Sequence, residues 1–317
     1  MLVKKILLIT GGALIAAGLL LGGIAFAVYG FDPAKLSTAK YVTKTYDVDG
    51  DFKDINIQGD TEDIFFEKTD DGVCKIVSRE EEDRPHIVKV GNGTLNIERQ
   101  KKSYWNFGIN FESPKMTVYL PEAVYEELKI DSDTGDITIP EDFSFDSMSF
   151  DLDTGDVKSN AKVQNEVNIK TDTGDIELTG IDASDLKLES DTGRITVNDT
   201  DIKGDIYIKE DTGRVALDKV TCEVLTSEGD TGDINLKDVI VKSTIRITRS
   251  TGDVRFDGSD SDEIYVKTST GDVSGMILSD KVFITESDTG SINVPKTSEG
   301  GRCEISTDTG DIKIEVK

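Results

Sequence analysis

The chain has 317 residues, 62 of them Asp or Glu against 36 Lys or Arg, for a net charge of −26. Such an acid excess excludes nucleic acid as a partner, because affinity for it comes from neutralising phosphates with basic side chains. It also disfavours direct adsorption to anionic lipid or wall polymer unless cations bridge the two.

At the amino terminus, Lys4 and Lys5 precede an uncharged stretch from Ile6 to Tyr29. About 20 such residues cross a bilayer as helix. Lysines ahead and an acidic chain behind predict a cytoplasmic amino terminus and an extracytoplasmic remainder. Residues 1–30 are therefore expected to be a single-pass transmembrane signal anchor in the plasma membrane, which makes the membrane the first partner. The rival reading is a cleaved signal peptide, for which Ala25-Phe26-Ala27 offers a small-x-small site. Gly18 and Gly22 add a spacing that lets two membrane helices approach closely. Residues 31–40, with Pro33, read as a juxtamembrane linker.

Residues 41–125 hold short alternating runs such as Asp54-Ile55-Asn56-Ile57 and Met116-Thr117-Val118-Tyr119-Leu120. They predict an irregular β region that caps a repeat stack, whose open edge must be covered. Within it, Asp60-Thr61-Glu62-Asp63 resembles the link that recurs later, with Glu62 in place of glycine. Tyr104, Trp105 and Phe107 form an aromatic loop, either packed under the cap or serving as a partner contact. The run Glu80 to Arg84 reads as a solvated loop, and His86, the single histidine, as a surface residue.

From 126 to 317 the chain repeats. Glycines at 135, 155, 174, 193, 213, 232, 252, 271, 290 and 310 are spaced by 19 or 20 residues, and Thr precedes each one. Apolar-x-apolar triplets flank every link, and the residue two after the glycine is always Ile or Val. A fixed short period with strand-like alternation predicts an all-β, parallel β-solenoid: a single-stranded β-helix of about ten coils of 19–20 residues. The turns are expected to be made by pairs such as Asp133 with Gly135, Asp172 with Gly174, Asp191 with Gly193 and Asp308 with Gly310. Glycine tolerates positive φ, and Asp bonds the backbone it turns on.

The same pattern weighs against enzymatic chemistry. One histidine and three scattered cysteines (Cys74, Cys222, Cys303) give neither a His-based triad nor a Cys/His metal pattern. Cys222 and Cys303 adjoin or occupy apolar columns and read as small core residues. Asp residues recurring in every coil serve a turn and not one active site. A polysaccharide-active enzyme using Asp clusters is the rival class. No cofactor is implied, although the Asp row suits a hard cation such as calcium if about six to eight oxygens converge. One break stands out: the residue after the glycine is Asp in seven copies, but Arg194 and Arg214 in adjacent ones. Two accounts stay open. The arginines relieve like-charge repulsion along the row, or, flanked by Asp175 and Asp233, they hold an anionic sugar or phosphate.

Through Met116-Thr117-Val118-Tyr119-Leu120-Pro121, Leu128-Lys129-Ile130 and Ser132-Asp133-Thr134-Gly135-Asp136-Ile137, the chain resembles the bacterial putative-adhesin family, a domain of unknown function with β-strand repeats. Its membrane-anchored members include LiaG-type proteins of Gram-positive envelope-stress operons. The resemblance covers about Ile55 to the end. It implies a β-solenoid on the cell surface that contacts envelope polymers, glycans or a membrane-protein partner, or else an accessory protein of the envelope-stress response. It implies no catalytic or binding residues.

Overall fold

The computed structural model describes residues 2–29, 40–100 and 114–317. Among them, helix α1 (Leu2–Tyr29) is followed by 26 strands joined in one continuous sheet, wound as a β-solenoid. The aromatic loop at Tyr104, Trp105 and Phe107, and the linker from 31 to 39, lie outside the described residues.

A coil is two strands around one Asp-Thr-Gly corner. In the coil of Gly174, Glu166–Thr173 leads in and Ile176–Thr179 leads out. Alternation turns every second side chain inward, and parallel register stacks like on like. Ile169 lies between Phe150 and Leu188, and Ile176 between Val157 and Ile195. The Ile/Val column two after the glycine, from Ile137 through Val157, Ile176, Ile195 and Val215 to Val273 and Ile312, is at most 1% exposed. Cys222 and Cys303 are buried within the stack, and desolvation pushes both thiols up to about 12.

The tenth member of that column, Ile292, is 44% exposed, because chain order and stack order part company at the carboxyl end. The coil of Gly310 enters between those of Gly271 and Gly290. The Gly271 amide donates to Thr309 O at 2.9 Å, and the Gly310 amide to Thr289 O at 3.0 Å. The strand Ile312–Val316 is therefore an internal layer paired on both sides. The outer layer is Lys281–Thr289 with Ile292–Asn293, which leaves Val282, Ile284 and Ile292 exposed.

The amino-terminal end winds back in the same way. Asp54–Gln58 and Asp63–Thr69 stack directly on the Gly135 coil, with the Thr134 amide donating to Asp60 O at 2.7 Å. Thr94–Arg99 and Lys115–Pro121 lie on their far side, still parallel. The antiparallel strands His86–Gly91, Lys75–Glu81 and Tyr41–Asp47 then close that end.

The single-pass anchor expected over residues 1–30, with a cytoplasmic amino terminus and an extracytoplasmic remainder, is contradicted. Among the described residues no helix is long and apolar enough to cross a membrane.

One inward column is polar. Three residues before the glycine, Thr171, Ser190, Thr268 and Thr307 donate through their hydroxyls to the carbonyl of the neighbouring corner glycine at 3.1 to 3.3 Å. In three successive coils this column reads Glu210, Gly229, Arg249. Glu210 is fully buried and both carboxyl oxygens lack a hydrogen-bond partner. Arg249 spends its guanidinium on Ser227 Oγ at 3.0 Å and Thr248 O at 3.2 Å. Burial pushes the Glu210 carboxyl up to about 7, against the pull of Arg249 and with the push of Asp211. It also lowers Arg249 despite the attraction of Glu210. Desolvation thus outweighs the attraction between the two groups.

Two predictions follow from this packing. A Cβ at Gly174 would sit on the carbonyl oxygen of Gly155, 2.6 Å from its carbon. Gly174→Ala should therefore cost about 1–3 kcal/mol, read as a lowered Tm. Because the folded chain holds the Glu210 proton to higher pH than the unfolded chain, its stabilisation is complete below about pH 4.5 and lost as pH rises through about 7. Glu210→Gln lacks that slope, so denaturation curves should show the variant gaining about 3 kcal/mol on the wild type between pH 5 and 8.

Candidate functional site

The corner column is where the fold presents polar side chains in register. In most coils the Asp after the glycine accepts a hydrogen bond from the backbone amide of the residue at its own position in the next coil. Asp136 accepts from the Asp156 amide at 2.9 Å, Asp156 from Asp175 at 2.7 Å and Asp175 from Arg194 at 2.7 Å. The series resumes with Asp233 accepting from Asp253 at 3.0 Å and Asp253 from Asp272 at 2.8 Å. These carboxylates are fasteners between coils. The pattern alone showed the Asp but not its target, since the acceptor belongs to one repeat and the donor to another.

Arginine cannot accept, so the fasteners are interrupted at Arg194 and Arg214. There the strands run unbroken through the corner, and Gly193 with Gly213, and Arg194 with Arg214, join the backbone ladder. Gly213 alone of the ten corner glycines lies outside the positive-φ region. The two arginines project side by side, about 4.8 Å apart at their backbones. They line an open groove of about 510 Å³ with Asp175, Thr212, Thr231, Asp233 and the corner glycines. Arg214 approaches Asp233 only to 3.6 Å, with both side chains substantially exposed; such a pair contributes little. The guanidinium of Arg194 has no ion-pair or hydrogen-bond partner among the described residues.

The turn residues lie on this same corner. Asp133, Asp191 and Asp308 are exposed, and Asp172 is half-buried. Gly135, Gly174, Gly193 and Gly310 have φ of 124°, 156°, 155° and 157°. Asp133 is raised above the ordinary carboxyl range by partial desolvation, then by Asp60 and Asp153 in the adjoining coils, which is the like-charge crowding the row must bear. No cluster of three or more His, Cys, Asp or Glu side chains among the described residues is arranged to hold a metal ion.

A second polar assembly escaped the sequence reading. His86 is 4% exposed, so it is not a surface residue, and of the run expected as a solvated loop Glu80 is fully buried while Glu82 and Asp83 are exposed in a turn. The link copy at Asp60-Thr61-Glu62-Asp63 explains why. Where other corners carry glycine, Glu62 sends a buried carboxylate to His86 Nε2 at 2.8 Å and to Arg99 at 3.3 Å. The other imidazole nitrogen, Nδ1, meets Glu80, whose second oxygen accepts from Tyr46 at 2.6 Å. Burial pulls the His86 pKa down, but the two carboxylates more than offset it and the net shift is upward. Glu62 and Glu80 are held below the usual carboxylate range, against their own desolvation, by His86, Arg99, Tyr46 and Lys44. The assembly is a charged pin inside the closing strands.

Comparison with known proteins places these features in context. A family model described as Toastrack DUF4097 matches residues 52–209 and again 200–317. No curated protein matches the chain. Among solved structures, the chain is similar to a putative adhesin from Bacteroides fragilis at 15% identity, covering 87% of this chain and 97% of that one, with a TM-score of 0.44. It is similar to a putative lipid binding protein from Parabacteroides distasonis at 13% identity, covering 88% and 98%, with a TM-score of 0.48. A putative adhesin from the same organism gives 12% identity, coverage of 87% and 98%, and a TM-score of 0.42.

Removing the imidazole tests the pin. His86→Ala leaves Glu62 and Glu80 buried without their shared partner, and should cost about 3–5 kcal/mol in chemical denaturation while leaving the corner groove intact.

Proposed function

The chain belongs to the Toastrack DUF4097 family, and from that premise we propose that it is a non-enzymatic, adhesin-like surface protein whose rod makes contact with envelope polymers or glycans. The reading rests on how the carboxylates are spent. Along the corner they recur once per coil and fasten one coil to the next, as Asp156 does for the Asp175 amide at 2.7 Å. At the closing end, Glu62 and Glu80 are buried on His86 and out of reach of substrate. Glycoside hydrolases generally use two carboxylates of different character facing one open cleft, whereas these are either identical and repeated or sealed. A rigid, regular rod instead suits repeated contact with an extended partner, as solenoid surfaces generally do.

The test is a glycan array probed with the full chain, with and without calcium, followed by analysis of the bound glycans. Saturable, selective binding with the glycans recovered intact is the expected result. Shortened glycans would overturn the non-enzymatic half of the reading, and an array left blank would overturn the contact half.

A further inference from the structure

We propose that the groove at Arg194 and Arg214 is a binding site for an isolated tetrahedral oxyanion, a phosphate or sulfate monoester on an otherwise uncharged sugar or polyol. The proposal rests on the surface-contact reading above and names the group that is contacted.

The sequence gives up something to place arginine here. Each substitution removes a carboxylate that elsewhere accepts the next coil's amide at 2.7 to 3.1 Å. Relief of charge repulsion alone asks only for a neutral or single basic residue, as Ser291 supplies near the carboxyl end. Two adjacent arginines produce something more specific. The register pair Arg194 with Arg214 sets two forked donors one strand spacing apart, and guanidinium forks match the oxygens of phosphate and sulfate. The floor is backbone at Gly193, Gly213 and Gly232, and Thr212 and Thr231 line the same groove. The donors thus outnumber what a planar carboxylate with two oxygens satisfies, while a tetrahedral ester offers three free oxygens.

The surroundings fix the rest of the ligand. Asp175 and Asp233 stand at the two ends of the pair, with Asp175 already engaged by the Arg194 amide. Asp191 and Asp211 continue the acidic column on the same corner. A densely charged polyanion would run onto these carboxylates within a Debye length of about 8 Å at physiological salt. One ester between neutral neighbours meets the arginines and avoids the acids.

The experiment is calorimetric titration of the full chain with inorganic phosphate, glycerol 1-phosphate, glucose 6-sulfate and, as the planar control, glucuronate. The expected result is one site per chain that takes the tetrahedral anions and not glucuronate, with the stronger of the two ester arms identifying the source. Arg194→Ala with Arg214→Ala should weaken binding by about tenfold to a hundredfold, because charge-assisted hydrogen bonds are lost. Arg194→Asp with Arg214→Asp restores the coil-to-coil acceptors, keeps the fold and should abolish binding. Unchanged affinity in both variants, equal binding of glucuronate, or no heat with any tetrahedral anion would overturn the site. A chain that ignores these anions but binds glycans on the array loses the site and keeps the surface-contact reading. One that binds the anions against a blank array keeps the site and loses that reading.

Discussion

At the glycine corner each coil of this rod lies too close to the next for a side chain to fit between them. There the position a Cβ would take lies against the carbonyl of the neighbouring corner, 2.6 Å from the carbonyl carbon at Gly174, Gly193, Gly252 and Gly310 alike. That contact sets the parallel register. Once it is fixed, Thr stacks on Thr, Asp fastens the next amide, and the Ile/Val column is buried from Ile137 to Val273. The β-branched side chains then suit the narrow interior, since their stiff rotamers lose little on being stacked.

The middle of the rod has departures of its own. The Gly213 coil carries Glu210 on its inside and Arg214 on its outside, three residues to one side of the corner and one to the other. The inner column exchanges hydroxyls for Glu210, Gly229 and Arg249, while the outer one exchanges two fasteners for arginines. Gly229 has its own reason to be small, since an added Cβ would stand 2.5 Å from Nη1 of Arg249. Buried charge of this kind adds little stability by itself, and its retention here coincides with the stretch of corner that is also flattened and basic.

Much of the architecture could be read from the amino acids. Ten glycines at 19 or 20 residues and an unbroken Ile/Val column state a parallel stack before any coordinate is known. Period and alternation, however, describe one coil and its copies. They are silent on which copy lies against which, so Ile292 looked like any other core residue although the stack leaves it exposed. They were silent also on His86, whose burial depends on Glu62 from a corner link and on Glu80 and Arg99 from two separate strands. At the candidate groove the sequence supplied the arginines and their acidic neighbours. That Gly213, alone of the corner glycines, lies outside the positive-φ region is a backbone fact with no signature in residue type. The amino-terminal stretch, expected to span a membrane, does not do so here, since among the described residues no helix is long and apolar enough to cross one.

The coil inserted between those of Gly271 and Gly290 sets a limit on how the molecule can come into being. A solenoid wound strictly in order could add layers as its chain leaves the ribosome, each finished before the next appears. Here the Gly271 layer must keep its edge vacant while residues 281–293 are made, because its proper neighbour, Gly301–Thr309 with Ile312–Val316, is synthesised only after them. Completion is therefore not vectorial. The Gly310 coil acts as a keystone, and a nascent chain that has not yet reached it lacks an inner course of the rod and leaves the Gly290 layer with nothing to rest on.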